Sequence, residues 1–235
     1  MSPTIMSSSA SPDTADTRPA QPAALQARSL AFNPAFTAAC DTGPLVVDGH
    51  FPSGSITLLT GDSRHLGAAL AVLALRENPL SGQLLHGDTD ILALDRAQAS
   101  LWRRHTLRFL PHDPALPATR TALHHLQTET REHEPQAAIP RALDLLDRFD
   151  LGRRAGTRTS ALPPGPQQAL ALATALCVLP RILVLDDVTA HMGAQLAGKV
   201  IRAIHHQVRK RAMIVIATST DRMFIENADR QLAVA

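Results

Sequence analysis

The chain has no tyrosine, one tryptophan, two cysteines and only two lysines among its 235 residues. Both lysines lie late, at Lys199 and Lys210, so arginine carries nearly all the positive charge. Any chemistry that needs an ammonium group before residue 199 is therefore excluded. Cys40 and Cys177 are far apart and belong to no CxxC or Cys/His cluster. They support neither a disulfide framework nor a cysteine metal site, which fits a reducing compartment. They read as small buried hydrophobes. The longest nearly apolar stretch, Ala169 to Leu179, is well short of the ~20 residues a bilayer span needs. No charged start followed by an apolar block marks a signal peptide. A cytoplasmic protein is expected, with any membrane role reached through a partner. The formal net charge of +2 is too small to argue for nucleic acid.

What is present is an ordinary globular composition, 45% hydrophobic and 19% charged. It suffices for one core, or for two small lobes packed together. Residues 1–28 are rich in Ser, Thr, Pro and Ala and predict a disordered tail, because they offer too little apolar surface to offset chain entropy. From Ser29 onward apolar periodicity begins. Ser55 to Thr60 is a short β-prone run ending at Gly61, and a helix is predicted from Gly67 to Arg76. Gly82 to His86 and Thr106 to Leu110 read as strands. Between about 111 and 164 the pattern becomes helical, with stretches near Thr119 to Glu132 and Ala137 to Phe149. The second places Ile139, Ala142, Leu145, Leu146 and Phe149 on one stripe. A helix follows through Gln167 to Leu179, with Pro166 at its start. Next come a buried strand, Arg181 to Asp186, a basic helix, Ala194 to Arg211, and a second buried strand, Met213 to Thr218. A short helix and the strand Arg230 to Val234 close the chain. Strands alternating with helices predict an α/β sheet with a helical insert.

Six segments, in this order, resemble the ATPase subunit of an ABC transporter from Ser29 to the end. Ser53 to Leu75 (SGSITLLTGDSRHLGAALAVLAL) is similar to the family's first strand, phosphate loop and following helix. Ser81 to Ile91 resembles its hairpin, and Phe109 to Leu116 (FLPHDPAL) its Q-loop region. Leu162 to Leu176 falls where the signature motif belongs. Arg181 to Gly193 (RILVLDDVTAHMG) resembles the second nucleotide motif with the D-loop, and Ile214 to Val234 the H-loop strand and terminal segment. The phrases LWRRHTLRFLPHDPAL and LDDVT lean towards exporter-type members. The resemblance implies a P-loop NTPase fold of the ABC ATPase type, with a mixed or parallel core sheet, over residues 29–235, and a helical insert at about 111–164.

At the catalytic positions the chain departs from the family. A working phosphate loop needs glycines so that backbone N–H groups converge on phosphate, a lysine for the β/γ charge, and a hydroxyl for magnesium. Aligned on Gly61, this chain supplies Asp62, Ser63, Arg64, His65, Leu66, Gly67, Ala68 and Ala69. Gly67 takes the lysine position and Ala68 the magnesium hydroxyl. Arg64 and Leu66 stand where glycines would relax the backbone. Arg64 or His65 either offers charge to phosphate from a new direction or belongs to a vestigial turn. His112 replaces the Q-loop glutamine and Ser219 the H-loop histidine. In the signature segment, Pro163, Pro164 and Pro166 remove three backbone donors. Asp186 matches the aspartate that holds magnesium through water. Asp187 stands at the general-base glutamate position, one methylene shorter. Both aspartates are equally readable as plain strand-end residues. The D-loop, Ala190 to Gly193, has lost its aspartate. The adenine-stacking aromatic falls near Pro34, with Phe32 and Phe36 close by.

These departures lead to a catalytically degenerate subunit, a pseudo-ATPase: ATP and Mg are the cofactors the resemblance implies, and the missing lysine and hydroxyl argue against them. It would act as a structural or regulatory component beside a transmembrane permease, peripheral on the inner face of the membrane. The alternative is an ATP-hydrolysing subunit that shares a composite site with an intact ABC ATPase subunit, as a dimer. A third reading is a soluble scaffold, whose basic helix would bind something acidic.

Overall fold

The computed structural model describes residues 23–33, 43–133 and 135–234. Two sheets lie against each other. Five wholly parallel strands form one, in the order β6-β7-β8-β3-β9: β3 (Ile56–Thr60), β6 (Leu107–Leu110), β7 (Ile182–Asp186), β8 (Ile214–Thr218) and β9 (Arg230–Ala233). Every residue of β8 is buried, and all of β3 and β7 except the last of each. Such strands read as continuous apolar runs because helices cover both faces of a parallel sheet. The antiparallel sheet has the order β2-β1-β4-β5, from β1 (Leu25–Phe32), β2 (Leu45–Phe51), β4 (Ser81–His86) and the two-residue β5 (Thr89–Asp90). The mixed α/β content expected from sequence thus divides into a parallel layer and an antiparallel layer.

The predicted tail ends too late. Residues 25–28 already belong to β1, with Leu25 and Ala27 fully buried, while residues 1–22 lie outside the described residues. The inward positions are Leu25, Ala27, Leu30 and Phe32, so alternation slips by one residue between Ala27 and Leu30. A bulge with Ser29 at φ 45° absorbs the slip. The Asp48 carboxylate accepts from the Ser29 backbone N–H at 3.0 Å. A strand broken in this way has no clean period to read. Cys40, Pro34 and Phe36 lie outside the described residues, whereas Phe32 is a buried core residue of β1.

Helices connect the parallel strands. α1 (Ser63–Leu73) follows β3 and α2 (Arg96–Thr106) precedes β6. α3 (Ala122–His133) and α4 (Ala138–Arg148) make the insert, close to the predicted bounds. α5 (Pro164–Cys177), α6 (Ala194–Arg211) and α7 (Arg222–Glu226) complete the set. Within α4, Ala142, Leu145 and Leu146 enter the core together with Phe149 just past the helix end, but Ile139 does not. Ile139 is 54% exposed and Leu143, one turn on, is 44% exposed, so this pair forms an outer apolar edge of the insert. Cys177 is buried, and burial pushes its thiol pKa up to about 11, which makes it inert. Lys199 of the basic α6 pairs with Asp150 at 2.7 Å and anchors that helix to the end of the insert.

Candidate functional site

The carboxyl ends of β3, β6, β7 and β8 bring Gly61, His112, Asp186, Asp187 and Ser219 to one edge of the parallel sheet. That edge is where open α/β sheets bind ligands. Each corner is distinct in detail.

After β3, Gly61 has φ 150°, and a Cβ there would lie 3.1 Å from the Val234 carbonyl oxygen. The chain then enters α1 at Ser63, four residues before the predicted Gly67. Asp62 is the N-cap: its carboxylate accepts from the Arg64 backbone N–H at 2.9 Å. It also receives the Arg64 guanidinium, from Nε at 3.1 Å and from a terminal nitrogen at 2.7 Å. This guanidinium beside Asp62 holds the carboxyl well below the usual carboxylate range. The His65 and Leu66 N–H groups donate to the Asp62 carbonyl at 2.8 and 3.1 Å. With side chains at Arg64 and Leu66, the chain adopts helical angles in place of the left-handed geometry that glycines permit. Gly67 is exposed, while Ala68 and Ala69 are buried in the core beneath. The N–H groups of Arg64, His65 and Leu66 are therefore spent on Asp62, whose carboxylate stands at the positive end of the helix. No ammonium or hydroxyl occupies positions 67 and 68. The residues present do not fit a magnesium nucleotide in the manner the phosphate loop requires.

At the end of β7 the two aspartates are engaged locally. The Thr218 hydroxyl donates to Asp186 Oδ1 at 3.0 Å. Asp187 has φ 43°, a left-handed residue at the strand end. Its backbone N–H donates to the Thr218 carbonyl at 3.1 Å. Its carboxylate accepts from the Thr220 N–H at 3.1 Å, the Thr220 hydroxyl at 2.7 Å and the Ser219 hydroxyl at 3.4 Å. Ser219, at the H-loop histidine position, thus belongs to the shell around Asp187. Asp187 holds β7 to β8, and both of its oxygens are already accepting.

At the end of β6, His112 and Asp113 sit between Pro111 and Pro114. The Gln168 side chain of α5 donates to the His112 carbonyl at 2.9 Å. The rings of His112 and His191 meet edge-on with centroids 5.0 Å apart, and His191 Nε2 lies 3.7 Å from Asp113 Oδ1. The first turn of α5 explains the signature remnants. Pro163 is its N-cap and Pro164 opens it, a place where a missing N–H costs nothing. Gln167 donates to the Leu162 carbonyl at 2.7 Å. Gly165 lies so close to the turn at residues 190–193 that a Cβ would meet the His191 carbonyl oxygen at 2.6 Å.

Beside this corner a groove of about 340 Å³ opens between the end of β6, α3 and α5, lined by Phe109, Pro114, Leu116, His125, Glu129 and Val178 among others. His125 is buried, and neither ring nitrogen has a hydrogen-bond partner. Burial lowers the His125 pKa and raises that of Glu129.

Sequence reasoning missed the cap formed by Asp62, the roles of Thr218 and Thr220, and the meeting of Asp113 with His191. Only the first had a local signal, an aspartate directly before a helical run.

The fold is that of an ATP-binding cassette of the P-loop class. It superposes on a dimeric ATP-binding cassette in a post-hydrolysis state, bound to ADP and Pi, with a TM-score of 0.76 at 18% identity, covering 89% of this chain and 94% of that one. The family model for ABC transporters matches residues 47–190, and the chain belongs to that family. It is 31% identical over 182 residues to an uncharacterized ABC transporter ATP-binding protein of Mycobacterium bovis, covering 76% of this chain and 55% of that protein. It is 28% identical over 188 residues to the putative hemin import ATP-binding protein HrtA of Staphylococcus aureus, covering 79% and 80%. The chain spans about half the length of the first of these relatives. ATP-binding subunits of this family bind ATP with Mg, dimerise and work with transmembrane permeases. No helix among the described residues is long and apolar enough to cross a membrane.

Proposed function

We propose that this chain is a catalytically silent ATP-binding-cassette subunit, acting as a structural or regulatory component of a membrane transport complex. The observation that carries the reading is the corner after β3. Its first helical turn is closed from Ser63, and the Asp62 carboxylate caps it by accepting the Arg64 N–H. The engagement of Asp187 by Thr220 supports it further, since a general base needs a free lone pair aimed at its water. Hydrolysis in this class rests on positioning and on electrostatic stabilisation, and both depend on the groups replaced here.

Its partners are a transmembrane permease, an intact ATPase subunit, or both, on the cytoplasmic face. The groove beside α3 and the apolar edge at Ile139 and Leu143 supply surface for the permease. Calorimetry of the purified chain with ATP, with and without magnesium, is expected to show no heat of binding up to millimolar nucleotide. Affinity capture from native membranes is expected to recover a permease. Magnesium-dependent binding in the micromolar range would reverse the reading in favour of a composite ATPase site.

A further inference from the structure

We propose that His112, Asp113 and His191 form a binding site for a divalent first-row transition metal, of the kind that zinc occupies. One ligand atom from each residue lies within 4.8 Å of the other two. The set, two imidazoles and one carboxylate, has the composition of zinc sites that keep a fourth position open. It favours zinc, cobalt or nickel over magnesium, which prefers oxygen ligands alone.

Three features of the backbone hold the ligands in place. His112 and Asp113 are enclosed by Pro111 and Pro114, so Asp113 is confined to extended geometry by the proline that follows it. The Gln168 amide fixes the His112 carbonyl. The close approach of Gly165 to the His191 carbonyl fixes the other segment against the same helix turn. Ligand atoms around a tetrahedral metal, at bond lengths of about 2.0–2.1 Å, stand roughly 3.3 Å apart. The 3.7 Å between His191 Nε2 and Asp113 Oδ1 is already near that value. The other ligand-atom pairs lie within 4.8 Å, and the Asp113 side chain, 88% exposed, has room to rotate towards them. The bound ion would pin the segment that leads from β6 into the insert to the turn that precedes α6. Its fourth position would be left to water or to a ligand from a partner.

The test is titration of the metal-stripped full-length protein with Zn²⁺ by calorimetry, and with Co²⁺ by visible absorption. One equivalent is expected to bind, with the visible bands of tetrahedral cobalt. His112→Ala and His191→Ala are expected to weaken it by at least the roughly 10–100-fold that loss of a supporting second-shell group costs. His206→Ala, at an exposed histidine of α6, is expected to leave it unchanged, and Asp113→Asn serves as a milder third variant. Circular dichroism confirms that each variant is folded. The proposal is overturned if the wild type takes up no stoichiometric metal. It is equally overturned if His206→Ala weakens binding as much as His191→Ala, or if millimolar Mg²⁺ displaces the zinc.

Discussion

Two corners of the same parallel sheet differ in how their backbone leaves the strand. After β3, residues 63–66 form the first turn of α1, with no left-handed residue between Asp62 and Leu73. After β7, Asp187 keeps a left-handed backbone at φ 43°. A left-handed residue costs about 1–2 kcal/mol unless its surroundings hold it. Here Ser219 and Thr220 hold it, by hydrogen bonds to the carboxylate. The carboxylate of Asp187 is a structural clasp between β7 and β8, whereas residues 63–66 adopt helical angles that need no such support.

The contrast can be probed by substitution, starting where the fold has least room. Gly165→Ala forces a Cβ against the His191 carbonyl, and backbone there must shift. We expect a destabilisation of about 3 kcal/mol, the upper range for overpacking, read as a lower urea midpoint at constant m-value. Asp187→Ala removes the acceptor of three hydrogen bonds while leaving the left-handed backbone. A loss of about 2 kcal/mol is expected from charge-assisted bonds. A clasp predicts that Asp187→Asn loses part of that stability; a purely catalytic aspartate predicts no change. Asp62→Ala should lower the melting temperature only slightly, because Ser63 and the following residues keep helical angles without strain. Salt should shrink the difference further, since the Asp62–Arg64 pair is exposed.

The smallest effect is a pH dependence of the groove. Burial depresses the His125 pKa from 6.5, so the unfolded chain binds the proton more readily than the folded one. His125 therefore favours folding fully above about pH 6.5, and that stability is lost as pH falls towards its folded pKa. Glu129, raised by burial from 4.5, acts with the opposite sign. Its stabilisation is present below about 4.5 and fades as pH rises through its folded value. His125→Leu is expected to flatten the decline of the urea midpoint below pH 6.5; an unchanged slope would place the titrating group elsewhere.

Much of the parallel layer was legible because buried strands carry continuous apolar runs: β7 and β8 fall within a residue of their predicted starts, and α6 spans its predicted range. α2 escaped notice because only Thr106 of its residues is buried, leaving no apolar stripe. Its capping box, Asp95 with Gln98, was the available signal. The early start of α1 was hidden by reading Gly61 to Ala69 against a family loop. In this chain, an aspartate cap and helical side chains decide the conformation. Asp113 and His191 lie 78 positions apart, and the pairing of β6 with β7 and the packing of Gly165 bring their segments together.

The central claim is that the turn after Gly61 is a closed helix start that no nucleotide opens. Backbone ¹³Cα chemical shifts of Ser63 to Gly67, recorded with and without saturating magnesium ATP, test it directly. Helical shifts at Ser63 to Leu66 that do not move on adding nucleotide are the predicted result. Shifts that leave helical values as ATP is added, saturating with concentration, would contradict the account and restore the turn as a phosphate loop.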